Sequence, residues 1–248
     1  YNDSTGVSTE TSIISISGPS ANLASIDRVN KEVFTMAVNA LSGVTVNIVD
    51  LNSETLIGTY FHAFPAPAGG VFHNTQYDFR VVPINSSYFG FAYEIIQGNL
   101  GLGSGGFIYL DLIDRSTMTV ASTTLVHAEI QGWNPTNSDV SMGAVYSSIN
   151  STLYVVYGSV QWGAFYEDLT VKEYTLSGAV LTLQLTTPLI PSGWLTTDQG
   201  LMRWENLDLI PASGTDTVVM YALTVGAGNT YKVPIIYYTG GTVVATPE

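Results

Sequence analysis

An internal repeat limits what this chain can fold into more than any other feature. Three Gly-rich connectors each carry an aromatic residue, Phe72, Trp133 and Trp194, in equal steps of 61 residues. A second set follows the polar turns: Val33-Phe34-Thr35, Tyr88-Phe89-Gly90, Leu153-Tyr154-Val155 and Val218-Val219-Met220. A third comprises Val44–Asp50, Phe107–Ile113, Leu169–Thr175 and Thr230–Ile236. Four units of about 62 residues account for the 248-residue chain. A fixed period of this kind marks a supersecondary unit that cannot bury its apolar faces alone and must stack on its neighbours.

Each unit reads as four short strands. In the third unit these are Val140–Tyr146, Leu153–Val160, Leu169–Leu176 and Val180–Thr186, separated by Ser147–Ser151 and by Ser177-Gly178. In the last of them Leu181, Leu183 and Leu185 alternate with Thr182, Gln184 and Thr186, the period-2 signature of a strand. Helical periodicity is almost absent, and Leu23–Val38 fits a hairpin better than a helix. The fold class expected is therefore all-β: a β-propeller of four four-stranded blades at about 21–62, 76–127, 138–187 and 201–248. Part of a larger propeller and a β-sandwich are the alternatives. Residues 1–20 form an N-terminal extension whose segment 11–17, with Ile13, Ile14 and Ile16, has strong β propensity. Unpaired, such a strand is prone to aggregate. It is expected to complete the last blade or to add to an edge of another subunit.

Charge sets the surface chemistry. Only 27 residues are charged, 7 basic and 20 acidic, for a net charge of −13. Seven scattered cations cannot form the basic stripe that nucleic acid requires. The 15 Tyr, 9 Phe and 4 Trp argue against disorder, and the lack of Cys removes disulfides, thiolate metal sites and thiol catalysis. No apolar run approaches 18 residues, so no membrane span is expected. The chain starts at Tyr1 without a basic, apolar leader and reads as a processed product. A surface built from Ser, Thr, Asn, Gly and Tyr loses little solvation in acid, which favours an extracellular or cell-surface location. Asn2, Asn85 and Asn150 each begin an N-glycosylation acceptor triplet.

One unit resembles a known family. Ile26-Asp27-Arg28, Val33–Asn39, Val44–Asp50 and Thr55-Leu56-Ile57-Gly58 are similar to a repeat of the YVTN-type surface-layer β-propellers, and Phe107–Asp111 with Asp114–Thr117 resembles the same segment more loosely. The resemblance implies a secreted or envelope-associated propeller that binds or scaffolds, and it implies no catalytic residues. Such propellers have more blades than four.

Few constellations carry chemistry. Gly101, Gly103 and Gly106 match a dinucleotide-binding spacing, but that site needs a following helix and Phe107–Leu112 reads as a strand. Asp50, Asn52 and Glu54 have the oxygen spacing of a calcium loop, while Thr55 and Phe61 stand where it needs Gly and Glu; a polar turn is the plainer reading. His62 and His127 end equivalent strands, and with His73 they are the only histidines. Near a propeller axis they would begin a zinc site; ordinary strand-end histidines are the simpler expectation. Asp78, Asp139, Glu205 and Asp208 lie near the first strands of three blades, the register in which a propeller glycosidase would pair carboxylates. Trp133 and Trp194 repeat, as a wedge between blades would, whereas Trp162 and Tyr166 occupy a long loop and are candidates for stacking on sugar or on a partner. No nucleophile elbow, zincin helix or P-loop is present, and no cofactor is expected. These observations favour a non-enzymatic subunit of a surface layer or filament, self-associating or binding other surface proteins and glycans. The alternative is a carbohydrate-binding or carbohydrate-cleaving propeller.

Overall fold

The computed structural model describes residues 23–27, 29–39, 43–63, 79–99, 103–131, 141–160, 167–189, 208–211, 217–221, 224–226, 230–232 and 235–246. They form four four-stranded antiparallel sheets, each a simple meander, and no helix. The first sheet joins β1 (Leu23–Asp27), β2 (Glu32–Asn39), β3 (Gly43–Asp50) and β4 (Thr55–Ala63). The second joins β5 (Phe79–Pro83), β6 (Tyr88–Asn99), β7 (Gly103–Asp114) and β8 (Thr119–Gln131). The third joins β9 (Ser141–Ser147), β10 (Thr152–Val160), β11 (Glu167–Ser177) and β12 (Val180–Pro188). The fourth has order β13 (Asp208–Pro211), β14 (Val218–Tyr221), β17 (Ile235–Thr239) and β18 (Thr242–Thr246). Between its two middle strands stands a small hairpin, β15 (Thr224–Gly226) with β16 (Thr230–Lys232). The repeat read from the sequence is thus a repeat of blades.

The chain divides after Phe64 into two compact units, the first blade in one and the other three in the second. In the first unit Phe34, Met36, Val46 and Ile48 are buried. In the second, β9 lies beside both β5 and β13, so successive blades meet along their first strands. Val82, Ile108, Leu110 and Leu112 of the second blade form one core with Met142, Leu153, Val155 and Tyr157 of the third. The other face of the third blade supplies Tyr154, Val156 and Val171 to a core with Val218, Ile236 and Tyr238 of the fourth. Apolar residues therefore point to both faces of one blade, the pattern that stacked sheets require.

The turns repeat as closely as the strands. Asp27 Oδ1 accepts the backbone N–H of Val29 and Asn30, each at 3.0 Å. Asp50 Oδ1 does the same for Asn52 and Ser53, Asn85 Oδ1 for Ser87 and Tyr88, and Asp114 Oδ1 for Ser116 and Thr117. An Asx side chain that accepts from N–H groups two and three residues on closes a turn without help from tertiary structure. In four hairpins the residue before the returning strand takes a left-handed conformation: Lys31, Glu54, Met118 and Ser151, with φ of 54–55°. The two turns of a blade also bond each other, Leu51 N donating to Lys31 O at 2.8 Å and Arg115 N to Ser87 O at 2.9 Å.

Three local readings change. The expected strand Thr230–Ile236 is divided between β16 and β17, with Pro234, which has no N–H, between them in sequence. The leucine face of β12 breaks because Glu173 pairs with Leu185 and Tyr174 with Leu183, leaving Gln184 as the extra residue of a bulge. Leu183 is 48% and Leu185 39% exposed on this outer strand. The glycines of the dinucleotide-like motif fall otherwise than such a site needs: Gly103 and Gly106 are ladder residues of β7, paired with Asn99 and Ile96.

Candidate functional site

Within each blade, meander topology distinguishes two ends, a connector end and a turn end. In each blade the first strand begins where the second finishes and the third begins. The opposite end carries the first–second and third–fourth turns, and in the first two blades these are short Asx turns. The calcium-like residues Asp50, Asn52 and Glu54 belong to a turn of the first blade, Asn85 to a turn of the second and Asn150 to a turn of the third. Asp50 is engaged inside its turn, accepting from Ser53 Oγ at 3.0 Å as well, and these bonds hold its carboxyl below the usual carboxylate range. Among the described residues no three His, Asp or Glu side chains come together as a metal site. Asn150 donates through its amide to Tyr154 Oη at 2.7 Å, so one glycosylation candidate has its reactive nitrogen bonded to a buried phenol.

Of the remaining acid and tryptophan candidates, Asp208 alone falls among the described residues. Asp208 is the first residue of β13 and pairs with Tyr221. Asp78, one residue before β5, Asp139, two before β9, and Glu205 lie outside the described residues, as do Trp133, Trp162, Tyr166, Trp194, His73, Asn2, Ile13, Ile14 and Ile16. In sequence, Trp133 and Trp194 belong to the segments that lead from one blade to the next, and Trp162 and Tyr166 to the segment between β10 and β11. As for the N-terminal strand, β18 already holds the outer place in the last blade.

The histidines take outer positions. His62 is in β4 and His127 in β8, the fourth strands of their blades, whereas in the second unit the strands that meet are the first ones. His62 is buried, lies 3.4 Å from Tyr60 Oη through Nδ1, and is held by desolvation at a pKa of about 4. His127 stacks on Tyr157 of the third blade, ring centroids 4.4 Å apart. Lys172 lies over the same tyrosine ring, with Nζ 5.6 Å from its centroid, and donates to the carbonyl of Val126. Val126 is the extra residue of a bulge in β8, since Ile108 pairs with His127 and Tyr109 with Leu125. Burial lowers the Lys172 pKa and raises that of Tyr174, which lies in the same core, to about 12.

Three buried or bonded acids escaped the sequence reading. Glu94 on β6 is fully buried, shares a face with Ala92 and Arg80, and stands one step beyond the Phe79–Tyr93 pair that opens the β5–β6 ladder. It therefore lies at the connector end. Asp111 on β7 is 3% exposed; burial raises its pKa, against hydrogen bonds from Thr123 Oγ1, at 2.6 Å, and from Tyr93. Glu173 on β11 accepts from Tyr238 of the fourth blade. The signal available for Glu94 was a lone acid inside the apolar run Tyr88–Ile96.

No protein-family model and no curated protein sequence matches this chain. Solved structures do. A thermostable family-43 glycoside hydrolase superposes with a TM-score of 0.51 at 12% identity, over 92% of this chain and 74% of that one. An endo-1,4-beta-xylanase from Bacteroides thetaiotaomicron gives 0.49 at 8% identity, over 92% and 75%. A polysaccharide lyase, an ulvan lyase, gives 0.45 at 8%, over 91% and 63%. The first likeness shows the fold. It overturns the expectation of a non-enzymatic surface-layer or filament subunit, because the fold is shared with a glycoside hydrolase. The lack of a linear catalytic motif does not argue against the carbohydrate alternative. Carboxylate pairs of glycosidases are assembled in space and need no contiguous motif.

Proposed function

We propose that this protein binds or cleaves carbohydrate at the connector end of its blades, and that it works outside the cell. One observation carries the reading. In sequence, Asp78, Asp139 and Glu205 precede the first strands of three blades and Asp208 opens one of them, whereas Asp50 and Asp114 are engaged in short turns at the other ends of their strands. Two functions are needed for glycoside cleavage: an acid to protonate the departing oxygen and a carboxylate to activate water or attack the sugar. Asp78, Asp139 and Asp208 come from three blades whose first strands lie side by side, which suits such a pair. Carboxyl groups about 5 Å apart would give retention and about 6.5–9.5 Å inversion. Trp162 and Tyr166 supply flat apolar faces on which a sugar ring stacks.

A glycan array and a polysaccharide hydrolysis screen with the whole chain test the reading. Binding or cleavage that is lost in Asp139→Asn and weakened in Trp162→Ala supports it. Silence of the wild-type protein in both assays removes it.

A further inference from the structure

Two N-glycosylation acceptor triplets fall among the described residues, and the fold treats them oppositely. Asn85-Ser86-Ser87 lies in the turn between β5 and β6, with Ser86 and Ser87 exposed. Asn85 Oδ1 accepts the backbone N–H of Ser87 at 2.8 Å and that of Tyr88 at 2.9 Å. The side-chain oxygen is thus engaged in the turn, while the amide nitrogen Nδ2 and the Ser87 hydroxyl have no hydrogen-bond partner among the described residues. The turn between β7 and β8 braces the backbone below them. Arg115 N donates to Ser87 O at 2.9 Å, and Arg115 Nη1 to Asn85 O at 3.0 Å. The main chain of the triplet is therefore held, and its two reactive side-chain groups are left available. In Asn150-Ser151-Thr152 the same two groups are taken up. Asn150 Nδ2 donates to Oη of the buried Tyr154 at 2.7 Å, and Asn150 Oδ1 is itself buried. Thr152 is 7% exposed, and its hydroxyl donates to Asn150 O at 3.2 Å.

We propose that Asn85 is an N-glycan acceptor of this chain and that Asn150 is not. The co-reactant is an oligosaccharide carried on a lipid pyrophosphate. Nδ2 of Asn85 bonds to the anomeric carbon as the bond from that carbon to the pyrophosphate oxygen breaks. The pyrophosphate leaves with the electron pair, and the nitrogen gives up one proton. The N–H groups of Ser87 and Tyr88 hold Oδ1, which leaves Nδ2 on the side of the carboxamide away from those donors. The glycosylated amide keeps the same oxygen acceptor, so the turn survives the modification. At Asn150 a bulky, hydrated glycan would displace the bond to Tyr154 and lift the carboxamide out of its buried place, and the phenol would lose its donor. In its native setting the modification rests on the extracellular reading above; it does not depend on what the connector end binds.

The test passes the whole chain through the secretory pathway of a eukaryotic host behind a cleavable leader. Peptides are then mapped by mass spectrometry with and without an amide-cleaving glycosidase, which leaves an aspartate in place of a modified asparagine. The peptide holding Asn85 is expected to carry glycan, and the peptide holding Asn150 to be unmodified. Asn85→Asp keeps an oxygen acceptor for the turn and removes the nitrogen, and Ser87→Ala keeps the N–H of the turn and removes the hydroxyl. Both are expected to abolish the glycan in a chain that still unfolds cooperatively, whereas Ser87→Thr and Asn150→Gln retain it. Unmodified Asn85 in a folded wild-type chain, or equal modification of Asn150, overturns the proposal. Because the leader supplies the compartment, that failure says nothing against the extracellular or the carbohydrate reading, which stand or fall on their own assays.

Discussion

Tyr238 of the fourth blade donates its phenolic hydrogen to Glu173 Oε1 of the third, 65 residues away. Thr187 Oγ1 lies 3.2 Å from the same hydroxyl, and the Tyr238 ring meets Tyr154 edge-on at 6.1 Å. This polar contact sits at the rim of the core shared by the two blades. Tyr238→Phe keeps the ring and removes the donor. Urea unfolding is expected to report a loss of about 1–3 kcal/mol, since a partly buried carboxylate is left short of a partner. An unchanged midpoint would show that water replaces the phenol without cost.

The alkaline limb of stability follows from the same residue. Burial first, and then Glu173, raise Tyr238 to about 12, while burial and Tyr157 raise Tyr174 to about 12, from an ordinary value of 10.0. Above pH 10 the unfolded chain releases these protons and the folded chain does not. Stability is therefore expected to fall between pH 10 and 12. A Tyr174→Phe, Tyr238→Phe double variant should show a shallower fall in chemical denaturation across that window. A fall as steep as in the wild type would contradict the assignment.

His62 sets an acid limb. Its folded pKa is about 4 against an ordinary 6.5, so between these values the unfolded state binds a proton that the folded state refuses. Its contribution is complete above pH 6.5 and is lost as pH falls toward 4. The wild-type midpoint in urea should decline through this interval more than that of His62→Gln. This effect opposes the acid tolerance expected from a charge-poor surface.

Lys172 should behave as a staple between blades. Lys172→Met keeps much of the aliphatic stem and strands the Val126 carbonyl in a residue that is 1% exposed. The expected cost is about 1–3 kcal/mol, read from thermal or urea unfolding. A neutral result would mean that the bulge relaxes and the carbonyl finds another donor.

Two glycines separate crowding from conformation. A methyl group added at Gly43, where φ is +149°, would stand 2.1 Å from His62 O, whereas one added at Gly178, where φ is +59°, would meet nothing within 4 Å. Gly43→Ala is expected to compromise folding, and Gly178→Ala to cost about 1–2 kcal/mol from its left-handed backbone alone. Circular dichroism melts of the two variants distinguish them.

The blades were legible in the sequence because their cause is local. Asp27, Asp50, Asn85 and Asp114 close turns using N–H groups two and three residues away, and the strands between them carry β-branched and aromatic residues. What was not legible depends on neighbours distant in the chain. Nothing within β12 announces that Gln184 will bulge or that Leu183 and Leu185 will be half-exposed. Nothing near Glu173 announces Tyr238. His62 and His127 fall in the fourth strands of their blades, but His127 does not end its strand, which runs on to Gln131, and strand order puts both fourth strands at the outer edge of their sheets. Glu94 stands within a strand whose sequence is otherwise apolar, and no local pattern marks it.

The separation of the two blade ends is tested most directly by comparing matched carboxylate substitutions on glycan hydrolysis or binding. Asp78→Asn, Asp139→Asn and Asp208→Asn at the connector end are set against Asp50→Asn and Asp114→Asn in the turns. The account predicts that the first set loses at least about a hundredfold in activity or binding with folding intact, while the second set leaves the function unchanged. Equal losses in both sets, or loss only in the turn variants, would contradict it.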